Sequence, residues 1–559
     1  MVAVTTLATL LAEAADRDST ATAIIDGDNS MSWAEAATQA GKLANTLGEI
    51  GVRPGDRVGV HTRKSAEGFL AMHGVVAAGA IAVPLDAGAS PSYLQSVAAK
   101  AGCSAIISHE RCRSTALSLA ESGTIDAIVG LDPPPADDAL RSTAPGSTAP
   151  GSTAKGSTGQ SSKTRRCRFV GPDEVAAAVP LDRSVLPIDP TQRAYIITTS
   201  GSTGTPKGIC HTHASALAYV AFKQAAYDFG PDDRISDLAP NHFDISTLAL
   251  WVAPAVGAAV VIVPETHQLF PASLSSLMAD TAMTVWYGVP YSLLQLASRG
   301  ALEDRDLRAL RWVLFGGEVM APLALADLMG QLPGARFSNV YGPAEVNACA
   351  VHHLDSPPAN SDPIAIGRPI GPTELRLVEP GDSLEPPPVS AGEHGEIWVS
   401  ADTMMEGYWE EPATNSRVIV EWDDHRWYRT GDLGFERPDG ELVFSGRVDH
   451  QVKVRGYRVE LESIESVLED CAGVSAAVAN VARDDDGSDV IVAGILSESP
   501  SKVETAVLTS WAQERLPHYS VPSRFYKVGS TPVTGSGKLD RRAMRSALAD
   551  THRASVERT

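Results

Sequence analysis

A short loop of glycines and hydroxyl side chains carries the first chemistry in this chain. The run Thr198-Thr199-Ser200-Gly201-Ser202-Thr203-Gly204-Thr205-Pro206-Lys207-Gly208 combines flexible backbone, crowded hydroxyls and one cation. Glycine turns tightly and approaches an anion with no Cβ in the way. Converging N–H groups, hydroxyls and Lys207 therefore make a cradle for phosphate oxygens. A flexible Ser/Gly linker has the same composition, but Ala194-Tyr195-Ile196-Ile197 reads as a buried strand leading straight into the loop. The pattern is not the Walker loop, because Lys207 follows Pro206 and precedes Gly208. Gly535-Ser536-Gly537-Lys538 fails as well, with Pro532 at the first glycine position and Leu539 after the lysine. A kinase or motor ATPase loses ground on those residues.

The elements that must position this loop are legible in outline. Residues 56–60 and 80–85 read as short buried strands separated by helical stretches, and Val260–Val263 and Trp312–Phe315 are further strand candidates. Strands alternating with helical patterns indicate an α/β domain with largely parallel sheets. The texture changes near Gly446-Arg447-Val448-Asp449. Beyond it Val459, Leu461, Ile464, Val467 and Leu468 recur at roughly helical spacing among glutamates, which predicts an amphipathic helix on a small sheet. A strand over 490–495 and a helix holding Val507, Leu508 and Trp511 follow, enough for a small α+β domain of about 100 residues. The expected organisation is a large N-terminal body over 1–448, a small C-terminal domain over 449–545 and a tail over 546–559. Residues 132–163, with Ser-Thr-Ala-Pro-Gly repeated at 142–146 and 147–151, read as a disordered low-complexity insert.

At 559 residues the chain needs at least two domains. A hydrophobic fraction of 43% and a charged fraction of 20% are those of an ordinary globular protein. The net charge of -22 disfavours nucleic-acid binding through a general basic surface. Six cysteines lack any Cys-x-x-Cys pair, which fits a reducing cytoplasm better than disulfides or zinc. Cys210-His211-Thr212-His213 has no second ligand pair at zinc spacing and reads as packing. Glu13 and Asp16 interrupt any N-terminal apolar run, and no membrane-length apolar stretch exists, so neither a signal peptide nor a membrane partner is expected.

Several motifs in order resemble the ANL superfamily of adenylate-forming enzymes, and within it the adenylation domains of non-ribosomal peptide synthesis. They are Ala77–Asp86, the phosphate loop, Asn339–Glu345, Gly395–Trp409, Tyr428–Asp432, Gly446–Glu460 and Pro532–Arg541. The resemblance covers nearly the whole chain apart from the insert. It implies two half-reactions: a carboxylate attacks the α-phosphate of ATP, and a thiol then attacks the acyl-adenylate. Both need positioning and charge neutralisation more than covalent help. It further implies ATP contacts from Thr199, Ser200, Gly201, Ser202, Thr203 and Gly204 with Lys207, and from Asn339, Tyr341, Gly342, Asp432 and Arg447. Glu345 is the implied Mg²⁺ ligand, Lys538 the cation delivered to the α-phosphate, and Asp449 the hinge of the small domain. Ala344 stands where the family usually has threonine, so one hydroxyl near the phosphates is missing.

The same resemblance implies the substrate class. Aspartate at the position of Asp244 binds an α-ammonium group in this family, so an amino acid is expected. The implied pocket is Asp244, Ile245, Leu248, Tyr287, Leu314, Gly316, Val340, Ala348 and Cys349, completed by Lys538. Its lining is apolar, with the Tyr287 hydroxyl as the main polar handle and no group for a charged side chain. The set is similar to that of stand-alone prolyl–carrier-protein ligases, with Gly316, Val340 and Ala348 smaller than expected there, which suggests extra room. Proline or a close analogue is the expected substrate, with other apolar or β-amino acids as alternatives. An acyl-CoA ligase and an inactive nucleotide-binding scaffold are the remaining alternatives. The expected acceptor is a separate phosphopantetheinylated carrier protein, met through basic residues such as Arg524, Lys527 or Arg541–Arg542.

Overall fold

The computed structural model describes residues 6–109, 112–131, 167–181, 187–199, 206–449, 451–484, 488–497, 504–527 and 541–556. The insert at 132–163, Ser200 to Thr205 of the phosphate loop, and Lys538 lie outside the described residues.

Two large sheets form the N-terminal body. In the first, Thr22–Asp26, Ala259–Ile262, Arg234–Asp237, Val285–Gly288, Trp312–Gly316 and Arg336–Tyr341 run parallel in that spatial order. Antiparallel strands close both edges, Asn29–Ser32 on one side and Ala350–Leu354 with Arg368–Pro369 on the other. In the second, Arg193–Thr199, Ile81–Pro84, Arg57–His61, Cys103–Ser108, Ala127–Gly130 and Arg168–Val170 are parallel neighbours. The strand Lys207–Thr212 pairs antiparallel with Arg193–Thr199, the two strands that flank the phosphate loop in sequence. Trp312–Gly316 and Ala259–Ile262 are buried at every position, as parallel strands covered on both faces must be.

Helices between the sheets supply their common core. Trp33–Glu49 begins with a capping box in which Ser32 and Glu35 satisfy each other's free N–H groups. Its buried Trp33, Leu43 and Leu47 join Phe69, Val75 and Trp251 in one cluster that touches both sheets. A third, five-stranded antiparallel sheet (Glu374–Val378, Gly395–Ser400, His425–Glu436, Ile419–Trp422 and Leu442–Arg447) has no counterpart in the strands expected from sequence.

The C-terminal elements bury a core of their own. Leu461, Ile464 and Leu468 on the helix Leu461–Glu469 meet Ala477, Ile491 and Ala493 of a three-stranded sheet and Leu508 of the helix Thr505–Arg515. Val459, expected on that first helix, instead lies on the strand Tyr457–Glu460 opposite Val452. The helix Arg541–Val556 runs past residue 545 and buries Leu548 against Val478 and Val490, so the expected tail is largely part of this layer.

Candidate active site

A cleft of about 900 Å³, including its mouth, opens where the strands of both large sheets end and the C-terminal layer covers them. Thr198 and Thr199 line it from the end of one sheet, and Tyr287 and Val340 from strands of the other. Phe243, Asp244 and Ile245 enter on a short turn of helix, and Gly342 and Ala344 on the loop after Arg336–Tyr341. Asp432 and Arg447 come from opposed positions of the third sheet. Crevices at the carboxyl ends of parallel strands are where α/β sheets place ligands.

The polar side of the cleft is organised by ion pairs. Asp432 accepts a 2.8 Å hydrogen bond from the Tyr341 hydroxyl and pairs through its other oxygen with Arg447. Arg447 also grips Asp449 in two contacts of 2.7 and 2.9 Å. These carboxylates outweigh the burial of the guanidinium and raise its pKa further. Two carboxylates around one arginine give a rigid acceptor surface on Asp432, suited to a vicinal diol such as a ribose.

Glu345 is fully buried one residue beyond Ala344. Its oxygens accept 2.8 and 2.7 Å bonds from Arg458 and a 2.5 Å bond from the Tyr408 hydroxyl. Burial would push this carboxyl up, but Arg458 and Tyr408 overcome it and hold it at about 2. A lone carboxylate suits Mg²⁺, which commonly takes one or two such ligands and fills its shell with phosphate and water. In this arrangement, however, Arg458 already neutralises Glu345. Among the described residues no group of three or more His, Cys, Asp or Glu side chains gathers to hold a metal. Lys207 stands close by, its Nζ 5.8 Å from the Tyr408 ring centre.

Asp244 differs from these paired acids. It is partly buried in the cleft wall and accepts a 3.0 Å bond from the Ile245 backbone N–H. Among the described residues it makes no ion pair, and burial raises its pKa. A carboxylate so placed favours a cation arriving with the ligand.

Other expected residues stand back from the cleft. Leu248, Leu314, Ala348 and Cys349 are buried beneath its wall. Asn339 spends its amide N–H₂ on the Ala365 carbonyl at 2.8 Å. Gly316 pairs with Val340, and a Cβ there would meet the Val340 carbonyl at 2.3 Å. Its glycine is thus required by strand packing and adds no room for substrate. His211 is neutral, held at about 4 by burial, stacks on Tyr195 and donates to the Ala344 carbonyl, as the packing reading expects. Of the basic residues expected to meet a carrier protein, Arg524 pairs with Asp484 at 2.9 Å within its own domain.

The sequence placed the stretch Gly446–Glu460 in a motif but gave no role to its residues beyond Asp449, and these close the cleft. Gln451, Lys453, Gly456 and Arg458, all on the hairpin of Gln451–Val454 and Tyr457–Glu460, line it together with Tyr519. Tyr457 stacks on Tyr519 at 4.1 Å and meets Phe243 edge-on at 5.1 Å. Gly456 donates to Glu318 across the same seam, and His518 lies 3.2 Å from Asp86. Lys223 was missed as well. It is fully buried on the helix His213–Ala226, with Nζ 4.7 Å from the Tyr287 ring centre. The available signal was a lysine flanked at four residues by Tyr219 on the same helix and by Tyr227 at its C-cap.

Comparison with known proteins agrees with this geometry. Residues 11–409 match the family model described as AMP-binding enzyme. The chain is 31% identical over 538 residues to a phenyloxazoline synthase MbtB of Mycobacterium sp., covering 94% of this chain and 41% of that one. It spans less than half of that longer relative. It is also 31% identical to an L-proline--[L-prolyl-carrier protein] ligase of Streptomyces coelicolor, covering 93% of this chain and 92% of the relative. The solved amide bond synthetase McbA from Marinactinospora thermotolerans superposes with a TM-score of 0.79 at 25% identity, over 97% of this chain and 100% of that one. No helix among the described residues is long and apolar enough to cross a membrane. A cleft between two parallel sheets, an acid–arginine acceptor surface and the family match agree, and the chain belongs to the AMP-binding enzyme family.

Proposed function

We propose that this enzyme activates an amino acid with ATP and transfers it to a carrier protein. In the first step a substrate carboxylate oxygen bonds to the α-phosphorus of ATP while the bond to pyrophosphate breaks. In the second, a phosphopantetheine thiol loses its proton and bonds to the acyl carbon while the bond to AMP breaks. Asp244 is the observation that carries the substrate class, because its carboxylate faces the cleft with no ion-pair partner among the described residues. An α-ammonium group supplies that partner, and a fatty or aryl acid does not. Proline or a close analogue remains the first candidate, supported by the pocket resemblance and by what the Streptomyces coelicolor relative is called.

The other residues take roles by their chemistry. Asp432 accepts from the ribose hydroxyls, Arg447 holds Asp432, and Tyr341 offers a ring face to the base. The backbone and hydroxyls of 199–204, with Lys207, grip the departing pyrophosphate. Lys538 neutralises charge developing between carboxylate and α-phosphate. Mg²⁺, when bound at Glu345, supplies charge neutralisation to the phosphates. Arg458 holds Glu345 in this arrangement, so a metal at Glu345 would require Arg458 to release it. Asp449, adjoining the hairpin, is the hinge between a body over 1–448 and the small C-terminal domain. The acceptor is a discrete carrier protein. Cytoplasmic action suits six free cysteines.

ATP–pyrophosphate exchange over a panel of amino acids tests this reading. Exchange that depends on an amino acid supports it. Exchange with carboxylic acids that lack an amino group, and with no amino acid, overturns it.

A further inference from the structure

Behind the apolar wall of the cleft lies a lysine amine with no hydrogen-bond partner among the described residues. Lys223 has no exposed surface, and its Nζ finds no hydrogen-bond acceptor among the described residues. Its surroundings are aromatic: the ring centres of Tyr287, Tyr227 and Tyr219 stand 4.7, 5.2 and 5.5 Å from Nζ. Ring faces attract a cation but accept no conventional hydrogen bond, so all three N–H groups of an ammonium remain unsatisfied. The Tyr227 hydroxyl is already committed to Ser338 at 2.8 Å. Burial pulls the amine down to about 7, and Asp244 is the charge that works against this.

A buried lysine held this way is costly unless something returns a hydrogen bond to it. A lysine serving only to fill space between three tyrosines is replaceable by any apolar side chain of its length. Tyr287 connects it to the cleft, since the same ring lines the cavity and packs on Nζ. Asp244 and Tyr287 both face the space where a substrate side chain must go. A ligand held by its ammonium at Asp244 therefore extends its side chain toward Tyr287 and the amine behind it. A side chain ending in oxygen can take the place of one ring face and accept from Nζ. An apolar side chain leaves the amine as it is.

We propose that Lys223 is a specificity-determining residue, selecting an α-amino acid whose side chain carries an oxygen acceptor at its far end. Hydroxyl, carbonyl and carboxylate oxygens share the required chemistry. The inference rests on the reading of the enzyme as an amino-acid ligase and narrows its substrate. It favours an oxygen-bearing proline analogue or a longer polar amino acid over unsubstituted proline. A polar site rejects a ligand that lacks its partner more strongly than an apolar pocket rejects a missing methylene.

The test is ATP–pyrophosphate exchange with matched pairs: 4-hydroxyproline against proline, and glutamine and glutamate against norleucine. The wild-type enzyme is expected to turn over at least one acceptor-bearing member at least about 10-fold better in kcat/KM than its apolar partner. Comparison among the three oxygens identifies which one the site takes. Lys223→Met, which keeps length and apolar contact, is expected to bring that ratio to about one or below by lowering the acceptor's value. Apolar members equal to or better than their partners in the wild type overturn the inference and leave the ligase reading standing. An unchanged ratio in a folded Lys223→Met variant overturns it too. Should that variant fail to fold, the wild-type ranking alone decides. Exchange with no amino acid at all overturns both readings.

Discussion

Asp244 and Asp432 face the same cleft and are prepared for different partners. Asp432 is held by Arg447 and Tyr341, which fixes its acceptor oxygens before any ligand arrives. Asp244 has one backbone hydrogen bond and a pKa raised by burial, so it awaits a cation. Replacing it tests that difference. Asp244→Asn keeps shape and removes charge, and losing a desolvated charge pair costs about 3 kcal/mol, or ~100-fold in kcat/KM for the amino acid. ATP affinity is expected to change little, and titration of nucleotide binding checks this second half. Asp432 was legible from sequence because it ends the motif Tyr428–Asp432, and Asp244 because the family resemblance gives its position a role. Lys223 was not, since its meaning comes from Tyr287, sixty-four positions away on another element. Gly316 was legible as a small residue, yet only the opposed Val340 carbonyl explains why glycine is needed there.

At the scale of elements, the hairpin Gln451–Glu460 matters most. It brings Arg458 onto Glu345 and closes the cleft through the Tyr457–Tyr519–Phe243 cluster. Gly456 at its tip has φ +87, and a Cβ there would lie 2.9 Å from the Val289 side chain. Alanine at such a φ costs about 1–2 kcal/mol before any contact is counted. Gly456→Ala is therefore expected to disfavour the closed hairpin, slowing transfer to a carrier protein by about 10-fold while leaving pyrophosphate exchange nearly unchanged. Single-turnover loading measured beside exchange checks this, and equal losses in both would argue against a hairpin specific to transfer. Sequence periodicity found five of the twelve described parallel strands, those that apolar runs announce. It missed the antiparallel sheet around His425–Glu436, whose burial alternates and whose strands look locally like loops. Val459 was misplaced for a related reason: it continues the apolar spacing of the next helix while pairing with Val452.

On the scale of the whole molecule, two separate cores set what can move. The cluster around Ile464, Ile491 and Leu508 is distinct from the clusters filling the N-terminal body. Polar and aromatic contacts form much of the seam between them, including His518 with Asp86 and Ser90 with the Glu514 carbonyl. Such seams come apart more readily than a shared apolar core. Ile464→Ala removes a fully buried side chain from the smaller cluster, at a cost of about 2–5 kcal/mol. Calorimetry should show a lower transition for the small domain with the main transition nearly fixed. One transition shifting as a unit would contradict independent domains. The family was readable because several motifs stand in order along the chain. The contact between Arg458 and Glu345 was not, because a pairing across a domain seam leaves no local pattern.

On the proposed function, this cleft activates a carboxylate that also carries an ammonium group. The most direct measurement is ATP–pyrophosphate exchange with an α-amino acid and its des-amino counterpart, each with wild type and Asp244→Asn. Strong exchange is expected with the amino acid alone, lost by about 100-fold in the variant. Equal exchange with the des-amino acid, unaffected by Asp244→Asn, would contradict it.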